Sequence, residues 1–404
     1  MKTVCKLKEN CCGCTACFAI CSKQAISMHE DEKGFVYPII DEDKCIECGM
    51  CEKVCAFSDF NSNKEAIHKF YAIKHKDLNV VKSSQSGGAF TAFSDWVLEQ
   101  GGVVYGAHLN TSDFSICHIR AVSPPQRDLI KGSKYVQSSM QDCFLDVMDD
   151  LKEGKTVLFT GTPCQCDGLL SLLKLKKINT EKLYTVDIIC HGVPSQKVFQ
   201  SFIKWNEQKN HKKVLSFVFR EKTKYPWGEY REKIVFEDGK TVYSDWYANL
   251  FLNESSLRDC CYTCPYTSPI RSTDITIGDF WGIDNCHPEM HDRYGVSSLI
   301  VHSQNGAKLL EKVKKNLIIK EVAEKDLISS QRPLHTPANK PEKSSFWQNY
   351  FEMNFEDFLH TESFNTVTFK NEVKNALSYS FDFIKNLFSK KVNNKGSKND
   401  KKRE

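Results

Sequence analysis

The chain of 404 residues has no long apolar run and no excess of one charge. Nothing in it approaches the roughly 20 consecutive apolar residues that a membrane-spanning helix needs. No transmembrane segment is therefore expected. Met1-Lys2 leads into a mixed, charged stretch rather than an apolar block, so no secretory signal is expected and a reduced, cytoplasmic setting is. The formal net charge is only +4, and no basic face recurs with aromatic residues. A nucleic-acid partner is not expected, because the long-range attraction it would need has no source. Hydrophobic residues make up 41% and charged ones 26%, which is ordinary for a globular protein. The length suffices for two or three domains with full cores.

Cysteine is what the chain has in excess, at 19 residues, nine of them beyond residue 100. Eight of the others form two runs: Cys11, Cys14, Cys17 and Cys21, then Cys45, Cys48, Cys51 and Cys55. The second run repeats the spacing of the first at a constant offset of 34 positions (11 to 45, 14 to 48), so one unit is duplicated. Three cysteines two residues apart, then a fourth after three more, is the spacing of a cubane iron–sulfur site. In two-cluster proteins of this kind the fourth cysteine ligates the other cluster. One 4Fe-4S cluster is thus expected on Cys11, Cys14, Cys17 and Cys55, and the other on Cys45, Cys48, Cys51 and Cys21. The proline that commonly follows the fourth cysteine is replaced by Ser22 and Ala56, and Cys12 interrupts the first run without displacing a ligand. Zinc usually takes two separated pairs per tetrahedral site, and disulfides need an oxidising compartment. Both explain the doubled run less well.

Residues 1–60 are too few for a good apolar core, and thiolate–iron bonds would hold such a module together. Short strands are expected at 25–28 and 35–39, then a hydrophilic joint over 58–65. Next comes a strand at 69–75. Ser86-Gly87-Gly88 precedes a helix over 89–100 with Phe90, Phe93 and Val97 on one face. Such a turn could let amides meet a phosphate, although a simple capped helix needs the same residues. Lys134 and Tyr135 could flank an acidic ligand or a flavin, or could be an ordinary surface lysine and a packed tyrosine.

Two strand–loop–helix units follow. In the first, a strand over 156–160 leads to a loop, Gly161-Thr162-Pro163-Cys164-Gln165-Cys166, with the helix starting at Asp167. In the second, a strand over 183–189 leads to Cys190-His191-Gly192-Val193-Pro194, with Ser195 capping a helix over 196–208. Ligands in open α/β sheets bind beyond the carboxyl ends of strands, and both loops place cysteines there. A hairpin is expected across Asp238-Gly239. Cys260, Cys261 and Cys264 raise the prospect of a third metal site. After Pro333, Pro337 and Pro341 come an aromatic-rich stretch over 346–359 expected to pack onto the body, an amphipathic segment over 372–391 and a Lys-rich tail. A solvated tail is favoured over one resting on an anionic membrane.

Four segments in order, Ser86-Gly87-Gly88, Gly161 to Gln165, Cys190 to Pro194, and Cys261-x-x-Cys264 ahead of Gly278-Asp279-Phe280-Trp281-Gly282, carry a resemblance. Over about residues 5–335 the chain resembles the coenzyme F-420 hydrogenase/dehydrogenase beta-subunit family, in the bacterial branch with a fused two-cluster ferredoxin that is often associated with polysaccharide biosynthesis. The resemblance implies an α+β multidomain chain: a ferredoxin module (1–60), a family N-terminal α/β domain (66–150), a C-terminal flavin and 4Fe-4S domain (151–335) and an extension with a tail (336–404). It implies FAD and a third 4Fe-4S cluster, for which Cys164, Cys190, Cys261 and Cys264 are the expected ligands and Cys166 and Cys260 the nearest competitors. By the same resemblance, Ser86, Gly87, Gly88, Tyr135 and Thr162 are candidate flavin or substrate contacts, with His191 and Lys134 as candidate catalytic groups. The function implied is an oxidoreductase passing electrons among clusters, FAD and a two-electron acceptor, either a redox partner protein or a small molecule such as a deazaflavin or a polysaccharide-pathway metabolite. The alternatives are a non-catalytic electron-transfer subunit serving a partner enzyme and a zinc-holding scaffold. Oligomeric state has no signature in the sequence.

Overall fold

The computed structural model describes residues 2–4, 7–57, 68–341 and 345–361. The expected joint at 58–65, the amphipathic segment over 372–391 and the Lys-rich tail lie outside the described residues. The chain divides into two compact units, Met1–Gln348 and Asn349–Glu404. In the second, a short helix Phe355–Leu359 is capped by Asn354 and gathers the rings of Tyr350, Phe355 and Phe358.

The first unit opens with a three-stranded sheet of β1 (Lys2–Thr3), β2 (Ile26–Glu30) and β3 (Val36–Ile40), in the order β1-β3-β2. Asp31 accepts from the amides of Lys33 and Phe35, which closes the turn between β2 and β3. The rest is built on an eight-stranded sheet. Its strands are β4 (Lys69–His75), β5 (Val103–Asn110), β6 (Ser115–Ala121), β7 (Val157–Gly161) and β8 (Leu183–Ile188). After a separate antiparallel sheet of β9 (Val214–Val218), β10 (Glu232–Phe236) and β11 (Thr241–Ser244) come β12 (Ile275–Asp279), β13 (Ser297–Val301) and β14 (Leu317–Glu321). The order in the large sheet is β14-β4-β13-β12-β8-β7-β5-β6. The four strands β12, β8, β7 and β5 are parallel, and antiparallel strands flank them. Val157-Leu158-Phe159 and all of β13 are buried, as strands covered on both faces are.

One face of the sheet packs the helices Ala89–Glu99 and Gln304–Val313 through Phe93, Val97, Leu309 and Val313. The other face packs the helices Cys143–Lys152 and Pro163–Lys176, and the same core takes in Ala16, Ile20 and Val54 of the cysteine-rich module. The module is thus built into the body's core. The boundary expected at 150/151 falls inside the large sheet, because β4 and β5 pair with strands that come much later in the chain. Residues 66–150 and 151–335 therefore share one core. β6 and the helix Cys143–Lys152 were not anticipated. Among the described residues no helix is long and apolar enough to cross a membrane.

Candidate functional site

The two cysteine runs fold alike. A short helix begins one residue before the third cysteine of each triplet, Ala16–Ile20 at Cys17 and Met50–Lys53 at Cys51. Backbone of positive φ flanks the middle cysteine in both: Gly13 and Thr15 around Cys14, Glu47 and Gly49 around Cys48. Left-handed residues alternating with ordinary ones turn successive amides inward, forming the concave nest that holds anionic clusters. Amides also donate to sulfur, Ala25 N to Cys21 Sγ and Glu47 N to Cys45 Sγ, both at 3.4 Å. Burial, then the neighbouring Cys14, Cys11 and Cys55 thiols, pushes Cys17 far above its ordinary pKa. Those are the four thiols expected around one cluster. Cys21, Cys45 and Cys51 gather with Val4, Ile26 and Ile40. Among the described residues no three of His, Cys, Asp and Glu converge as ligands of one bare ion would.

A third group of cysteines forms within the body. Cys164, Cys190, Cys260, Cys261 and Cys264 line one cavity, and Cys12 joins them from the N-terminal module. Burial first, then Cys261, Cys164 and Cys264, raises Cys190 far above its usual range. Contact with Cys12 is the main cause that holds Cys164 low. Cys166 turns away, its Sγ directed at Val186 O at 3.9 Å. Cys164 and Cys166 lie in the first turn of the helix Pro163–Lys176, not in a loop as expected. Thr162 caps that helix, Pro163 occupies its first turn and the Thr162 amide donates to Gln165 Oε1 at 3.0 Å. This capping box was legible in Thr162-Pro163-Cys164-Gln165.

Next to the cysteine cavity lies a larger one of about 480 Å³. It opens beyond the carboxyl ends of β5, β7, β8 and β12, where α/β sheets bind ligands. The two cavities share a wall made of Thr162, Gln165, Cys190, His191, Gly192 and Val193, with Arg332 and Pro333. Tyr135 lines the large cavity, stacked on Phe251 at 4.5 Å. Lys134 lines it too, but its Nζ donates to the carbonyls of Ile130 and Lys131 at 2.6 and 2.7 Å. Burial pushes Lys134 down to about 7. His191 Nε2 stands 2.7 Å from Glu254 Oε1, out of line for a hydrogen bond. Burial is the main cause that lowers His191. Glu254 is buried and also pairs with Arg332 at 2.7 Å.

Ser86 and Gly87 are largely engaged in structure. Ser86 Oγ donates to Val296 O at 2.7 Å, and Gly87 N donates to Ser297 Oγ at 2.9 Å. A Cβ on Gly87 would meet Ile73 O at 2.4 Å, so close packing explains that glycine. Ser86 and Gly88 line the large cavity and Gly87 does not. The neighbouring Gln85 carries in the cavity wall a buried Nε2 without a partner among the described residues, a donor suited to a polar ligand. Asp279 accepts from Arg220 at 2.6 Å and from Trp227 Nε1 at 2.8 Å, and stands in the same wall with Trp281. Gln85 carried no signal in the sequence. Asp279 and Trp281 lay in a segment that did.

Residues 10–58 match the family described as 4Fe-4S dicluster domain. Residues 154–326 match the family described as the C terminus of the coenzyme F420 hydrogenase/dehydrogenase beta subunit. The chain joins these two domains. It therefore has the make-up of an iron–sulfur protein of the oxidoreductase type. A chain from the xenon-derivatised F420-reducing [NiFe] hydrogenase complex of Methanosarcina barkeri aligns with it at 20% identity and a TM-score of 0.45, covering 63% of this chain and 82% of that one. No curated protein matches the sequence.

Proposed function

We propose that this chain is an iron–sulfur flavoprotein oxidoreductase, moving electrons between its ferredoxin-type clusters, a third cluster in the cysteine cavity and FAD in the large cavity. One observation carries the reading: the cysteine cavity and the large cavity share the wall built from Thr162, Gln165 and Cys190 to Val193. Groups held on the two sides of that wall are separated by little more than one loop. Clusters carry single electrons whereas a flavin holds two, which permits hydride-type exchange with an acceptor. Cys164, Cys190, Cys261 and Cys264 would ligate the third cluster. Gln85 Nε2 and the face of Tyr135 would meet the flavin. His191, held beside Glu254, is the candidate proton donor at the shared wall. Lys134, pushed down to about 7 by burial, is the candidate cation of the large cavity. The acceptor is a two-electron carrier or a redox partner protein.

Anaerobic purification with mass spectrometric identification of the released cofactor tests this reading. FAD bound near one per chain, reduced when a low-potential donor reduces the clusters, is the expected result. Cluster-loaded, folded protein with no flavin overturns it and leaves an electron-transfer subunit.

A further inference from the structure

Arg258 is the largest fully buried side chain among the described residues, with 0% exposure. It belongs to the body, yet its guanidinium lies against the first cysteine loop. Nε donates to Cys11 O at 2.6 Å, and Nη2 reaches Cys11 Sγ at 3.5 Å and Val36 O at 2.9 Å. Nη1 donates to Gln137 Oε1 at 3.0 Å, and Gln137 Nε2 in turn donates to Cys12 O at 2.9 Å. Tyr37 and Phe35 cover its faces at 4.2 and 5.5 Å. The fit is close enough to govern the loop's sequence. A Cβ on Gly13 would stand 3.1 Å from Arg258 Nη1 and 2.9 Å from Gln137 Nε2.

Every acceptor of this guanidinium is a carbonyl, an amide oxygen or the Cys11 sulfur. Among the described residues no carboxylate pairs with it. A buried guanidinium stays charged, and burying a charge without a counter-charge is strongly unfavourable. The sulfur its guanidinium reaches is that of Cys11, at 3.5 Å, which makes the Cys11 thiolate its nearest counter-charge, with Cys260 and Cys12 beyond it. We propose that Arg258 is the built-in counter-ion of the cluster on Cys11, Cys14, Cys17 and Cys55, and that it sets that cluster's reduction potential. It is a positioning and tuning residue. The proposal rests on the dicluster assignment and is independent of the flavin.

The direction follows from charge. Reduction adds one electron to the site, and a fixed cation with an N–H donor to sulfur stabilises the more negative state. Arg258 therefore raises the potential of its own cluster and leaves the one on Cys45, Cys48, Cys51 and Cys21 as it is. Its backbone extends the link into the body. Arg258 N donates to Val193 O at 3.0 Å, and Cys261 N donates to Arg258 O at 2.9 Å. One residue thus has its side chain on the first cluster site and its main chain between the two loops that carry Cys190 and Cys261.

The test is an EPR-monitored reductive titration of the full anaerobic chain. R258M, R258K and Q137E are compared with the parent, and a Cys48→Ser variant labels the signal of the other cluster. In R258M the reduced-to-oxidised ratio of the Cys11 cluster at a fixed potential falls at least tenfold, about 59 mV for one electron. R258K keeps the charge and stays within threefold. Q137E sets a carboxylate against the guanidinium and lowers the ratio with the space still filled, which decides the matter if R258M loads no cluster. Fully loaded R258M or Q137E with an unmoved midpoint overturns the proposal, as does an equal shift in both clusters.

Discussion

Gly168 sits inside the helix Pro163–Lys176, facing the cysteine-rich module. A Cβ built there stands 2.8 Å from Cys14 Sγ, 3.2 Å from Cys14 Cβ and 3.7 Å from Ala16 Cβ. In an exposed helix interior, glycine to alanine stabilises by about 1 kcal/mol. Here the added methyl enters a packed core, and overpacking costs about 1–3 kcal/mol. Cys14 has little room to yield, being buried and, as an expected cluster ligand, confined further. G168A is therefore expected to lose up to about 2 kcal/mol net, the packing cost offsetting or outweighing helix propensity. Anaerobic denaturant unfolding, followed by far-UV CD and by cluster absorbance, reads both the stability and the iron content. The variant should unfold at lower denaturant and hold less iron. A fully loaded G168A more stable than the parent by the full helix-propensity gain of about 1 kcal/mol refutes the contact between this helix and the cysteine loop.

Glu232 is buried, with Oε1 accepting from Ser244 Oγ and Tyr247 N and with Oε2 unpartnered. Burial raises it to about 7 from an ordinary 4.5. A raised carboxyl contributes fully below its unfolded pKa and loses that contribution as pH rises through the folded one. E232Q should therefore flatten the stability profile between pH 5 and 8 and gain about 1–3 kcal/mol at pH 8. Parallel profiles for the two chains would sink the idea. Asp150 behaves oppositely: burial pushes it up, but Arg120, Tyr105 and Lys155 together hold it at about 2. Its contribution is present above the ordinary carboxylate range and is lost as pH falls toward 2, so D150N should cost about 1–3 kcal/mol at neutral pH and shift the acid unfolding limb. Superimposable acid limbs would contradict that. C190S should remove about four irons per chain while the dicluster signals persist, and an unchanged iron-to-protein ratio would speak against a third cluster on that thiol.

The duplicated cysteine spacing determined the iron–sulfur module by itself, because ligand geometry over so short a loop is a local property. Local signals likewise placed most strands and the hairpin at Asp238-Gly239, since alternation and turn chemistry need no distant partner. The capping box at Thr162 was equally local, though it places Cys164 on a helix and not in a loop. Only the tertiary structure decided the sheet order, which joins β4 to β13 and β14 across residue 150. It alone brought Cys12 to Cys164 and seated Arg258 on Cys11. Gly168 and Gln85 carry no motif, and their meaning comes from atoms far along the chain. Such contacts follow from how a module and a sheet share one core, and no stretch of sequence read alone contains both sides of them.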